Sequence, residues 1–120
     1  MRYLNALAKL CLLVCVASMA HAHAVLDHAN PRVGSTVAAP PRELLLWFTQ
    51  KLEPAFSTVE VRDSNGARVD DGPAQVDPSD ASLLRVPLKH LSSGSYEVRW
   101  RILSVDTHTT EGRFRFKVGK

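Results

Sequence analysis

Apolar and polar residues alternate with a period of two along much of this chain. Tyr96, Val98, Trp100 and Ile102 fall on one side, and Glu97, Arg99 and Arg101 on the other. Phe114, Phe116 and Val118 alternate with Arg113, Arg115 and Lys117, and Val59 and Val61 with Thr58, Glu60 and Arg62. Such a period puts each apolar set on one face of a half-buried strand. Residues 44–48 (LLLWF) form a continuous apolar run between Pro41 and Pro54, too short for a helix. That run predicts a strand buried on both faces. Turn signals recur at Asn30-Pro31, Ala39-Pro40-Pro41, Ser64-Asn65-Gly66, Asp71-Gly72-Pro73, Asp77-Pro78 and Ser93-Gly94. From His23 onward no long segment has a helical period. About seven short strands with frequent turns predict an all-β fold, an antiparallel β-sandwich or a small Greek-key β-barrel. Residues 69–82 are polar and rich in Asp and Pro, and predict a surface excursion. There is no internal repeat or second domain, and the architecture alone says nothing about function.

Charge changes this picture only until it is located. The 120 residues hold 15 Lys+Arg against 12 Asp+Glu, a formal net charge of +3 that would suit a nucleic acid or a membrane. Residues 1–22, however, read as a secretory signal peptide. Arg2 and Lys9 flank an apolar core at residues 10–17 (LCLLVCVA), and Ala20-His21-Ala22 supplies a small-x-small cleavage pattern. The core is far shorter than the ~20 residues that span a bilayer, which argues against a permanent anchor. Leu13 and Val14, before Cys15, are too bulky for lipoprotein processing. Removal of residues 1–22 leaves 98 of the 120, with 13 cationic side chains against 12 acidic ones. The basic case for nucleic-acid binding goes with the leader. So do Cys11, Cys15, Met1 and Met19, leaving a domain at 23–120 with no sulfur and no possible disulfide. A hydrophobic core alone must hold it.

The same cleavage creates chemistry. An N-terminal His23 offers its α-amine and its ring Nδ1 to one metal in a chelate, and a divalent ion displaces the amine proton at neutral pH. Nitrogen and oxygen donors in a square-planar array suit Cu(II). Cleavage after Ala20 would put His23 third instead, and cleavage after Ala24 would remove it. Asp106-Thr107-His108 forms a second half-site, with both side chains on one side if the stretch is extended. Read on spacing alone, it is more readily a solvated turn in which Asp106 bonds backbone amides. His28 lies an odd number of residues beyond His23. On an extended strand it faces the other way, as a surface contact or weak extra ligand rather than a primary one. His90 reads as loop surface. Trp47 and Trp100 read as packing residues. Arg99, Arg101, Arg113, Arg115 and Lys117 read either as an interaction stripe or as a solvated face offset by Glu60 and Glu97.

Several of these segments resemble one known family. His23-Ala24-Val25-Leu26 with Asn30-Pro31 is similar to the H-A-x-L-x-x-x-x-P opening of mature CopC-family copper-resistance proteins. Residues 44–48 followed by Thr49-Gln50 resemble that family's L-x-L-x-F-S-E strand. Gly94-x-Tyr96-x-Val98-x-Trp100 leads into Ser104-Val105-Asp106-Thr107-His108, and Gly112-x-Phe114-x-Phe116-x-Val118 follows at the family's spacing. The resemblance covers essentially all of residues 23–120. It implies an immunoglobulin-like β-domain of the periplasm that binds one Cu(II) through His23 (amine and ring), Asp106 and His108. Thr107 stands where the family's D-G-H has Gly, Thr109 where Pro follows it, and Gln50 where an acid is often found. With no Met in residues 23–120, a second site for Cu(I), which prefers soft sulfur ligands, is not expected.

The resulting expectation is a monomeric, non-enzymatic Cu(II) carrier that stores the ion or passes it to an inner-membrane CopD-like transporter. An N-terminal His with a second His also resembles the copper brace of oxidative polysaccharide-cleaving enzymes. Small size, the added carboxylate and the lack of an aromatic-rich substrate surface weigh against that alternative. A metal-free β-sandwich interaction module is the third reading.

Overall fold

A computed structural model describes residues 24–119; the predicted leader at 1–22 and His23 lie outside them. Eight strands appear in chain order: β1 (Leu26–Asn30), β2 (Thr36–Val37), β3 (Glu43–Phe48), β4 (Thr58–Arg62), β5 (Gln75–Asp77), β6 (Asp80–Pro87), β7 (Gly94–Leu103) and β8 (Thr109–Val118). One 3-10 turn, Pro54–Phe56, precedes β4. The strands form two four-stranded sheets, ordered β1-β3-β6-β5 and β2-β8-β7-β4. All pairings are antiparallel except the short β2, which runs parallel to β8. The two sheets stay separate, so the fold is the sandwich and not the closed barrel.

Alternation assembles the core. Tyr96, Val98 and Ile102 of β7, Phe114, Phe116 and Val118 of β8, and Val59 and Val61 of β4 turn inward from one sheet. Leu44, Leu46 and Phe48 of β3, with Leu84 and Val86 of β6, meet them from the other. Phe48 and Trp100 join the sheets edge-to-face, with ring centroids 5.2 Å apart. Tyr96 stacks on its cross-strand partner Phe116, with centroids at 5.5 Å. The Tyr96 hydroxyl donates to the Ser92 carbonyl at 2.5 Å. This is the tyrosine corner typical of immunoglobulin-like sandwiches.

Two local expectations need correction. β3 is not buried on both faces: Leu44, Leu46 and Phe48 are buried, but Leu45 and Trp47 are half-exposed. An antiparallel sheet packs on one face and leaves the other wet, even under an unbroken apolar run. Residues 69–82 are not merely a surface excursion, because they contain β5, an edge strand paired to β6. Its Asp77 is buried and accepts from the Ser79 hydroxyl (2.6 Å) and the Arg85 guanidinium (2.7 Å). Within β1 the alternation is broken. A register shift between Leu26 and His28 leaves both Asp27 and His28 exposed. His28 lies flat on Trp47 at 4.3 Å, and its Nδ1 meets Asp27 Oδ2 at 2.6 Å.

Two predictions follow from this packing. A Cβ built on Gly112 would fall 2.4 Å from Cζ2 of Trp100, its partner across β7 and β8. Gly112→Ala therefore forces the indole aside; it should cost about 1–3 kcal/mol and shift the tryptophan emission, checked by urea unfolding. The second concerns acid. The Ser79 hydroxyl, with Arg85, holds the Asp77 carboxyl down from 3.8 to about 2. A depressed carboxyl stabilises the fold fully above its unfolded value and loses that contribution as pH falls through the folded one. The stability gap between wild type and Asp77→Asn should be constant above pH ~5 and narrow between pH ~4 and ~2. Denaturant midpoints at each pH measure it.

Candidate metal site

β7 ends at Leu103 and β8 begins at Thr109, so residues 104–108 make the hairpin connection. Its closure is local chemistry. The Ser104 amide donates to the His108 carbonyl (3.0 Å) and the Thr107 amide to the Ser104 carbonyl (2.9 Å). Ser104 is fully buried, and its hydroxyl bonds Asp106 Oδ1 and also reaches the His108 carbonyl at 3.2 Å. One hydroxyl thus ties both ends of the turn to the carboxylate. Thr107, between the two candidate ligands, has φ +70° and its hydroxyl donates to the Asp106 carbonyl at 2.6 Å. This is the left-handed conformation that glycine adopts freely and a β-branched residue adopts at a cost.

The turn brings Asp106 and His108 together. Asp106 Oδ2 lies 3.3 Å from His108 Nδ1, long for a charge-assisted hydrogen bond but close enough for both to face one ion. The Ser104 hydroxyl, aided by His108, holds the Asp106 carboxyl below its ordinary range. It is therefore ionised at neutral pH, as an oxygen ligand must be. The two side chains are 40% and 39% exposed, so the pair is open to an incoming partner.

The start of the described chain is fastened to the same end of the sandwich. Thr110, two residues after His108, donates its hydroxyl to the Ala24 carbonyl at 2.7 Å. Ala24 is fully buried in the core. The Val25 amide donates to the Thr49 hydroxyl, and the Thr49 amide to the Val25 carbonyl, both at 3.0 Å. Just beyond, the Val105 amide donates to the Lys51 carbonyl at 3.0 Å. Gln50 is half-buried between these two anchors. Three separate segments, at 24–25, 49–52 and 104–110, therefore converge. Among the described residues no group of three or more His, Cys, Asp or Glu side chains gathers to hold a metal. Asp106 and His108 supply two donors there, and His23 lies outside the described residues. His28, beside Trp47, and His90, exposed after β6, stand apart from this pair.

Ser104, Thr110 and Thr49 carried no role in the sequence reading. Ser104, two residues before Asp106, is the one with a local signal, since a hydroxyl at that spacing commonly serves a turn carboxylate. The partners of Thr49 and Thr110 are distant in the chain and had none.

Comparison with known proteins gives a consistent picture. The family model described as the CopC domain matches residues 26–119. The chain is 35% identical over 98 residues to Protein YobA of Escherichia coli (strain K12), covering 81% of this chain and 79% of that protein. It is 35% identical over 105 residues to Copper resistance protein C of Xanthomonas campestris pv. juglandis, covering 82% of each. The crystal structure of CopC from Methylosinus trichosporium OB3b superposes with a TM-score of 0.76 at 35% identity, covering 81% of this chain and 94% of that one.

The strained turn yields a test of its own. Thr107→Gly removes a left-handed conformation worth roughly 1–2 kcal/mol and adds back part of that as unfolded-chain entropy. The expected net effect is a gain of about 0.5–1 kcal/mol, seen as a rise of a few degrees in Tm by scanning calorimetry.

Proposed function

This chain belongs to the CopC domain family, and on that premise we propose that it is a periplasmic Cu(II) carrier. In this reading residues 1–22 are cleaved on export and one Cu(II) binds through the His23 amine and ring, Asp106 and His108. The ion is cargo, sequestered or handed to a membrane transporter, and no reaction is catalysed on it. The carrying observation is the convergence of two donors and one tether. Asp106 and His108 face each other at 3.3 Å, and Thr110 grips the carbonyl of Ala24 just beyond them. Residue 23 is one peptide link earlier, with its Cα about 3.8 Å from that of Ala24.

The donor chemistry fits. An amine, two imidazoles and a carboxylate are nitrogen and oxygen ligands, which suit Cu(II), the most tightly held of the divalent first-row ions. Residues 23–120 offer no thiolate or thioether, so nothing favours Cu(I). Loading displaces a proton from the amine, so uptake weakens in acid. Exposure of that pair leaves the ion reachable for ligand exchange with a recipient. Ser104 acts as a positioning residue, aiming the carboxylate while its backbone closes the turn.

The test compares chains beginning at His23 with chains carrying one extra N-terminal Ala, alongside Asp106→Ala and His108→Ala. Cu(II) affinity by competition titration should fall at least about 100-fold in each, more than supporting-residue changes usually cost. The extended form should also show altered nitrogen coupling in EPR. Unchanged affinity and spectra in the extended chain would overturn the role of His23. Turnover of peroxide or polysaccharide by the copper-loaded protein would overturn the carrier reading in favour of an enzyme.

A further inference from the structure

The outer face of the β4–β7–β8 sheet carries charge that the core and the candidate site do not use. Alternation turns Arg62, Arg99, Arg101, Arg113, Arg115 and Lys117 outward there, against three acids, Glu60, Glu97 and Glu111. The imbalance is local. Arg2, Lys9 and Lys120 lie outside residues 24–119, so the described domain holds 12 cationic and 12 acidic side chains. One sheet face thus concentrates a positive excess that the rest of the domain mirrors with negative charge.

Internal ion pairs take up two of the three acids, Glu97 and Glu60, while Glu111 lies opposite Arg101 in the ladder. Glu97 accepts from Arg99 at 2.6 Å and Arg115 at 3.3 Å. Glu60 takes Arg62 at 3.4 Å and Arg68 at 3.1 Å. The side chains of Arg101 and Arg113 make no ion pair or hydrogen bond among the described residues. Register makes this costly. Arg99, held by Glu97, sits directly opposite Arg113 on the β7–β8 ladder, a like-charge pair that is unfavourable in a sheet. These guanidiniums border an open groove of about 450 Å³, whose other walls include Thr58, Glu60 and Glu111.

We propose that this groove is a docking surface for an acidic segment of a partner protein, whose carboxylates insert between Arg101 and Arg113. Five of the six cations are Arg, whose rigid fork grips a carboxylate through two parallel hydrogen bonds. The backbone that carries them is already fixed in a paired ladder, so only the side chains remain to be ordered on binding. An anionic lipid surface fits less well. The three acids interleaved on the face repel a continuous sheet of negative charge, while discrete carboxylates can alternate with them. None of the exposed large apolar residues (Val25, Val33, Phe56, Val105) lies on this face to enter a bilayer. Arg101 is two residues, or ~7 Å of strand, from the end of β7, so a segment seated there runs toward Asp106 and His108. The docking surface itself does not depend on the ion.

The experiment uses the chain from His23 without metal, a fluorescent oligoglutamate peptide and phosphatidylglycerol vesicles. The peptide should bind in a salt-sensitive manner, and backbone amide shifts should cluster on β7 and β8 around Arg101 and Arg113. The Arg101→Gln/Arg113→Gln double variant should bind about tenfold or more weakly. Arg42→Gln/Lys89→Gln, which removes equal charge elsewhere, should stay within about twofold of wild type. No peptide binding, equal loss in both double variants, or amide shifts away from this face would overturn the proposal. So would binding to the vesicles in preference to the peptide, which would assign the face to lipid. Copper affinity is not read in any arm, so failure here leaves the carrier reading untouched.

Discussion

The antiparallel ladder between β7 and β8 governs the rest of this molecule. It pairs ten residues of each strand in unbroken register, from Gly94 with Val118 to Leu103 with Thr109. Because side chains alternate, that one register decides three things at once. It sends Tyr96, Val98, Ile102, Phe114 and Phe116 into the core. It sends the arginines to the opposite face and sets Arg99 against Arg113. It also closes the short connection in which Asp106 and His108 meet. A slip of one residue would exchange core and surface along both strands.

Small polar side chains then do what the ladder cannot. Ser104 is buried at the mouth of the turn, and its hydroxyl is the common partner of Asp106 and the His108 backbone. Thr110 and Thr49 hold the backbone at Ala24 and Val25, far away in sequence. These ties hold residues 24–25 beside Asp106 and His108, which by themselves supply only two donors. The local cost is visible at Thr107, held at a positive φ where glycine would be unstrained.

The strands of the second sheet were legible because one face is dry and the other wet, which writes a period of two directly into residues 96–102 and 113–118. The same logic misleads at β3. There a continuous apolar run suggested two buried faces, yet Leu45 and Trp47 remain half-exposed, with Trp47 covered by the His28 ring. Alternation also breaks within β1, where a register shift between Leu26 and His28 exposes both Asp27 and His28 without any mark in composition. β5 was hidden for another reason. An edge strand of three residues, Gln75-Val76-Asp77, is too short to show a period of two, although its hairpin partner β6 begins at Asp80.

By itself the sequence determined the fold class, the inward and outward sets of the long strands, and the residue types able to take a metal. These follow from periodicity and side-chain chemistry, which are local. Tertiary structure decided that two sheets pack without closing and that Asp106 and His108 stand within 3.3 Å of each other. It also decided that residues 24–25 are fastened beside them, and that the Arg101 and Arg113 side chains form no ion pair among the described residues. Each of those depends on a contact between residues far apart in the chain or on a backbone angle, and neither is encoded in any short window of sequence.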